Sequence, residues 1–513
     1  MIAITVGLLG ACYPTLPQSS GPSALHAHVE ACESGIATLE ALRSHLAPPR
    51  HRMQVTLSVD SVQMTHGPRP DSRRRDQVTQ TLRVFELQAA GEDAPTWRID
   101  IERPDAAVRV NDAFVIFDRT RGQVGPVYGA DALREQILSR AAFPATLVRY
   151  VQSAGQVLGA TSAPSGGSDV LVELEGGRAV IKTVPVSYEV DGMQVEVPGL
   201  LGVEWMTHDS LLGDVVEALH YDGEPGAAPG VVSGWEVRGP LGTSETAKVE
   251  SVLLDSKELP FPGGIYPSPE RAGRPLTQSA PEVELRQLGK GTFELLIADE
   301  ASRSVGVDLG RGWAVLEAPV STEVGDAIIK ALEEEKPGHP FLYVAASHHH
   351  PHYIGGMRPF VHRGATVVCP AEVMDYVRNI IERPRTLRPD ELSISRREPR
   401  MVGVERGERW APPTSSSRLV VVEVDGHSNH TDAFMLFFLP EERIAFGGDI
   451  LWIADYDKPR GPNPRTRGLA KILSDADDLG AVEFLTSWPA GGKPLGGNVW
   501  LDRAPVQQIA DAK

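Results

Sequence analysis

Apolar positions along this chain follow two grammars, and the change between them falls near residue 283. From 24 to 47, Leu25, Val29, Ile36, Leu39, Leu42 and Leu46 share one broad helical face, and Pro48-Pro49 stops the helix. From His51 to about Leu259, short runs alternate apolar and polar residues: Gln54–Val59, Thr81–Leu87, Trp97–Ile101, Ala113–Phe117, Val170–Leu174, Ala179–Thr183 and Val249–Leu254. A period of two means strands buried on one face, which is the pattern of antiparallel sheet. A helical stretch at Ala130–Ser153 interrupts them.

Pro260 to Pro281 carries Pro-Phe-Pro-Gly-Gly, Pro-Ser-Pro and Gly-Arg-Pro, which predicts an interdomain linker over 260–282. After Val283 strands and helices alternate. Strands are expected at Phe293–Ile297, Ser304–Val307 and Ala314–Leu316. Ser321 is placed to cap a helix running through Glu335, with Val324, Ile328, Ile329 and Leu332 inward. Phe341–Ala346 is an apolar strand, followed by Ala365–Cys369, a helix at Ala371–Ile381, and strands at Leu419–Val424, Phe434–Leu439 and Arg443–Phe446. The fold class expected is a two-domain α+β chain. Residues 24–259 form a curved antiparallel β-sheet domain, and 283–513 form an α/β domain.

Length agrees, since 513 residues exceed what one ordinary core organises. A net charge of −18 with no Lys/Arg-rich run argues against a nucleic-acid partner. The three cysteines, Cys12, Cys32 and Cys369, make no C-x-x-C pair, so neither a disulfide framework nor a thiolate zinc site is expected. Ile2–Ala11 is apolar and ends Leu9-Gly10-Ala11-Cys12, which resembles a bacterial lipobox. Residues 1–23 then read as leader and tether. Lipidated Cys12 would anchor the protein in the bacterial cell envelope, facing the periplasm. The β-rich region resembles lipoprotein-carrier domains, in which a curved sheet wraps a helix.

The Phe341–Ala346 strand runs into Ser347-His348-His349-His350-Pro351-His352-Tyr353-Ile354-Gly355-Gly356. Four imidazoles within five positions after a buried strand suit a metal ion better than packing, because zinc takes three or four N, O or S donors. Downstream, Gly426-His427-Ser428-Asn429-His430-Thr431-Asp432 offers two more histidines, and Gly447-Gly448-Asp449 places a carboxylate at the end of a strand. No G-x-S-x-G, G-x-G-x-x-G, P-loop or H-E-x-x-H motif competes.

These segments resemble the metallo-β-lactamase superfamily, whose loop reads T-H-x-H-x-D-H-x-G-G, with a later His before a strand and then Gly-Asp. The likeness covers about residues 283–505 and implies an αβ/βα sandwich. It assigns His348, His350 and His430 as metal ligands, prefers His430 to His427 by spacing, and gives Asp449 as bridging carboxylate. Glu317-Ala318-Pro319 after a strand also fits. Two departures matter. The family's Asp-His pair is His352-Tyr353 here, and no His follows His430, although one is expected near 486–492. The resemblance therefore implies one main zinc ion, or another divalent metal. The expected activity is that of a hydrolase, with metal-bound hydroxide directed at an ester, lactone, amide or thioester of a small-molecule substrate. His352 and Asp449 are its candidate catalytic residues. The alternative is an inactive envelope protein that binds or assembles.

Overall fold

The computed structural model describes residues 22–46, 52–64, 66–87, 96–102, 106–110, 115–119, 123–127, 129–222, 231–239, 244–254, 281–297, 302–413, 417–450, 464–487 and 500–502. The expected leader with Cys12 and nearly all of the expected linker lie outside the described residues. The chain divides into two compact units. The first is Met1–Ser61, Gln77–Thr207 and Val216–Arg274. The second is Val62–Asp76, His208–Val215 and Pro275–Lys513.

In the first unit the alternating runs form one sheet, thirteen-stranded among the described residues. Arg52–Met64 pairs with Ser244–Leu254 at its centre, and the remaining strands extend outward in meanders from this pair. Helices Gly129–Arg140 and Pro144–Ala154 replace the single expected helical stretch. Pro144 opens the second helix, where the missing amide proton costs nothing. The Pro22–His45 helix buries Gly35, Leu39 and Leu42, with Leu46 just beyond its end. Ile36, expected inward, is 46% exposed, because glycine at 35 rather than isoleucine at 36 meets the Val157 and Val170 side chains. A β-carbon at Gly35 would lie 2.8 Å from Val157 Cγ1, so close approach selects the residue without one.

The second unit is layered. One sheet runs Val283–Gly289, Thr292–Ile297, Ser302–Asp308, Trp313–Leu316, Phe341–Ala345, Thr366–Pro370 and Arg400–Val404. The last four strands are mutually parallel. The other sheet runs Arg409–Trp410, Val420–Glu423, Met435–Leu439, Ile444–Phe446, Glu483–Leu485 and Trp500–Asp502. The pleat sorts their side chains. Ala314, Leu316, Ala345 and Val368 of the first sheet share one core with Met435, Phe437, Leu439 and Phe446 of the second. Trp313, Val315, Val344 and Val367 turn the other way, onto Val324, Ile328, Ile329, Leu332, Phe360 and Val377 of the helices. Phe434, Leu436 and Phe438 turn onto Leu469, Ile472 and Leu473 of the Pro464–Asp475 helix. The order helix, sheet, sheet, helix is the αβ/βα layering expected for this half.

Ser321 caps the Thr322–Glu335 helix by accepting from the Val324 amide at 3.4 Å, an arrangement that stabilises a helix by about 1 kcal/mol. The stretch 383–417 contains the helix Glu391–Ser395 and the strands Arg400–Val404 and Arg409–Trp410. Arg358 anchors that helix through its N-cap, Asp390, with Nε–Oδ2 at 2.5 Å and Nη2–Oδ1 at 2.7 Å.

Candidate metal centre

In α/β folds, ligand sites gather at the carboxyl ends of parallel strands. Three such ends meet here. Trp313–Leu316 is followed by Glu317, Phe341–Ala345 by the histidine loop, and Ile444–Phe446 by Gly447-Gly448-Asp449. The loops are tied together through Glu317, which is fully buried. Its carboxylate accepts from the Ser347 amide at 3.1 Å and the Gly448 amide at 3.3 Å. Ser347 in turn accepts from the Met435 amide at 2.8 Å, which joins the two sheets beside the site.

Each ligand candidate is oriented by a neighbour. Ser347 Oγ lies 2.9 Å from His348 Nδ1, and the ring stacks on Phe434 with centroids 4.9 Å apart. That leaves His348 Nε2 facing Asp449 Oδ1 at 3.5 Å. His350 Nε2 lies 3.0 Å from the Gly67 carbonyl, so Nε2 carries the proton and Nδ1 keeps the lone pair. The Pro351–Ile354 turn closes on Gly355-Gly356. A β-carbon on Gly355 would overlap the Val320 carbonyl, and the Gly356 amide donates to Ala318 at 2.8 Å. The second histidine segment is held by Ser428, whose Oγ accepts from the amides of His430 and Thr431 at 3.2 Å each. Asn429 takes a left-handed φ of 50°, which asparagine tolerates.

The result is convergence. One candidate ligand atom from each of His348, His350, His430 and Asp449 lies within 4.8 Å of all the others. The three imidazole centroids are 4.6, 4.9 and 5.0 Å apart. His430 Nε2 is 2.7 Å from Asp449 Oδ1. Yet His348 Nε2, both ring nitrogens of His430 and Asp449 Oδ1 are buried without a hydrogen bond. Leaving a buried polar atom unmatched costs about 1–3 kcal/mol, and a cation held by these atoms would satisfy several of them at once. Three imidazoles and a carboxylate fit a tetrahedral zinc ion in donor type and number.

Electrostatics supports the fit. Burial and the neighbouring imidazoles hold His348 well below the usual histidine range. Burial, then His349 and His430, push His350 down to about 3, against the Gly67 hydrogen bond. The His348 and His350 imidazoles therefore stay neutral and able to ligate at neutral pH. Burial alone would raise the Asp449 carboxyl, but His430, Arg465 and His350 outweigh it and hold the group below its usual range. Burial raises Glu317 to about 8 even against the amides of Ser347 and Gly448.

The remaining candidates separate. His427 lies outside the cluster, and its carbonyl accepts from Asn429 Nδ2 at 3.2 Å. His430→Ala is therefore expected to lose the ion while His427→Ala keeps most of it, read as zinc per chain after gel filtration. The reverse pattern would mean that the second histidine segment is in a different register. His349 is buried and hydrogen-bonded to the Arg69 backbone, and its pKa is pushed down to about 4, chiefly by burial. His352 lies beside the cluster, its ring 6.0 Å from that of Tyr353. Burial and the Asp449 charge hold the Tyr353 phenol well above its usual range, so it keeps its proton and is a poor ligand. In the stretch where a final histidine was sought, Thr486 and Ser487 are buried, and the Ser487 amide donates to Gly448 at 3.4 Å.

Sequence reasoning missed His66 and Gly67. The His66 ring lies 5.2 Å from that of His350 and 4.9 Å from that of His352. Their segment belongs to the second unit although it precedes the histidine loop by some 280 residues. No spacing rule reaches that far.

No family model and no curated protein matches the chain. Solved structures do. The DIM-1 metallo-β-lactamase is 14% identical, over 45% of this chain and 97% of that one, with a TM-score of 0.32. FIM-1 from Pseudomonas aeruginosa, in its mono-zinc form, is 13% identical over 45% and 93%, with a TM-score of 0.32. The sec-alkylsulfatase Pisa1 from Pseudomonas sp. is 14% identical over 44% and 40%, with a TM-score of 0.31. The chain is thus similar to metallo-β-lactamases and an alkylsulfatase over about 45% of its length, at low identity.

Proposed function

We propose that this protein is a metal-dependent hydrolase working through one tightly held zinc ion. The observation that supports it is the convergence of the ligand atoms of His348, His350, His430 and Asp449 within 4.8 Å of one another in a buried cluster. His348, His350, His430 and Asp449 would hold a divalent ion, which when bound would lower the pKa of water towards ~7 and polarise a carbonyl oxygen. The protein supplies the rest. Glu317 and Ser347 fix the two ligand loops, and Phe434 walls off one face of His348. His352 is kept below its usual pKa by burial and by His66, so it is neutral and can take a proton from water or hand one to a leaving group. An ester, lactone, amide or thioester is the fitting substrate class. Phosphodiester chemistry that spans two equally held ions is disfavoured, because the protonated Tyr353 offers no anionic ligand.

The test combines elemental analysis with turnover. Purified full-length protein is assayed against a panel of esters, lactones and thioesters, with zinc and after chelation. The expected result is one tight zinc per chain and turnover that chelation removes and zinc restores. Tight zinc without any turnover would favour the binding-module alternative. Protein that takes up no divalent ion would sink both the metal and the hydrolase.

A further inference from the structure

Residues 378–400 hold seven arginines and no lysine, interleaved with four acids, in a chain whose net charge is −18. This stretch lines a cavity of about 670 Å³ in the second unit, a size that takes a small organic molecule. The end of the Met374–Glu382 helix and the Glu391–Ser395 helix both contribute to its wall. None of its lining residues belongs to the metal centre.

The wall has an apolar part and a cationic part. In the first, Ile381 and Leu392 are buried, while Ile394 is 77% exposed, the most exposed large apolar side chain among the described residues. In the second, the buried Arg358 and Arg385 share the one carboxylate of Asp390, at 2.5 and 3.6 Å. Arg385 keeps a buried Nε with no hydrogen bond. Burial, then Arg358, disfavours the Arg385 charge and outweighs Asp390, Glu323 and Asp209. Arg383, Arg396 and Arg397 line the same cavity, and among the described residues none of the three has an ion pair. Glu382 and Glu398 line it too, which leaves the arginines in excess. Water suits neither part of this wall. The exposed isoleucine gains by being covered, and each unpaired guanidinium offers a planar fork that matches an oxyanion. Arginine at every cationic position favours that two-point contact over the bare charge a lysine would supply.

We propose that this cavity binds a small amphiphilic oxyanion, a carboxylate or phosphate carried on an apolar body. The head lies on Arg383, Arg396 and Arg397, and the body against Leu392 and Ile394. The site goes beyond the hydrolase reading and is independent of it, because it uses no ligand of the metal centre.

Zinc-loaded full-length protein is titrated by calorimetry with octanoate, octyl phosphate, octan-1-ol, octylammonium and inorganic phosphate. At least one of the two amphiphilic anions is expected to bind at one per chain, about ten-fold or more tighter than the alcohol, in keeping with charge-assisted hydrogen bonds. The tighter of the two tells a carboxylate source from a phosphate source. Octylammonium and inorganic phosphate should bind no better than the alcohol. Arg383→Gln and Arg396→Gln should each weaken the anion by about ten-fold, and Ile394→Ser by about three-fold, with Tm unchanged. Arg396 and Ile394 are exposed, so their loss leaves no hole in a core. His348→Ala should bind the anion as wild type does. Failure of both anions to bind overturns the proposal. So does an alcohol that binds as tightly, inorganic phosphate that matches octyl phosphate, or unchanged affinity in both arginine variants. Anion binding that disappears in His348→Ala would place the ligand on the metal and overturn it as well.

Discussion

Replacing His348 with alanine is expected to abolish tight zinc binding and with it the stabilisation that zinc confers. His348 is fully buried, pinned by Ser347 Oγ on one edge and stacked on Phe434, so its free nitrogen has one direction to face. Without it two imidazoles and a carboxylate remain, spread about a gap. A ligand that binds only the folded state at 1,000 times its Kd contributes about 4 kcal/mol. For a unit of this size that is a rise in Tm of roughly 8–16 °C. Melting of wild type and variant, with zinc and with chelator, reads the effect directly. The shift should be large in wild type and near zero in His348→Ala. An undiminished shift in the variant would mean that the ion sits elsewhere.

The neighbouring His349 and His350 make the metal-free protein less stable in acid. Burial, chiefly, depresses His349 to about 4 and His350 to about 3, from an ordinary value of 6.5. Between pH 6.5 and 4 the unfolded chain therefore binds protons that the folded chain refuses, and stability falls as pH falls through that window. Above 6.5 both states are neutral and this contribution is complete. Zinc competes with the same protons, so the ion is released over the acidic range too.

Much of this site could be read from the sequence because its ligands lie in short segments next to strong strands. Phe341–Ala345 and Ile444–Phe446 are fixed by apolar runs, and whatever follows such a strand is delivered to the sheet edge. His348, His350 and Asp449 stand in those places, and His430 lies in the turn before the Met435–Leu439 strand. What the sequence hid has physical reasons as well. The Arg400–Val404 strand lies among arginines and prolines that look like loop, and it is defined by its parallel partner Thr366–Pro370 rather than by its own alternation. The inward face of the first helix depends on Gly35, which hydrophobicity ignores. His66 and Gly67 act through space on a loop far along the chain, and a lone histidine carries no period. Glu317 was noticed only as part of a flanking tripeptide. Its two hydrogen bonds exist because two strand ends meet, which a linear reading does not show.

Glu317 carries the second large effect expected of a single substitution. One buried carboxyl group accepts from the amide that precedes His348 and from the amide that precedes Asp449, so one side chain sets the separation of two ligands. The residue itself sits at φ 64°, a conformation that a glutamate adopts only when its surroundings repay the strain. Glu317→Ala strands both amides in a buried space, and each unmatched donor costs about 1–3 kcal/mol. A total loss of about 2–6 kcal/mol follows, with some relief if water enters the gap. Zinc affinity should fall as well, by the 10–100-fold typical when a residue that orients ligands is lost. Glu317→Gln separates the two roles. Its amide fills the same volume but has one acceptor oxygen, so it can serve the Ser347 or the Gly448 amide and must turn its own NH2 group towards the other. The glutamine variant is therefore expected to recover most of the packing and little of the zinc affinity. Chemical denaturation beside zinc competition with a chromophoric chelator measures both. If Glu317→Gln binds zinc as wild type does, the carboxylate is not what spaces His348 from Asp449, and the strand ends alone hold the site open.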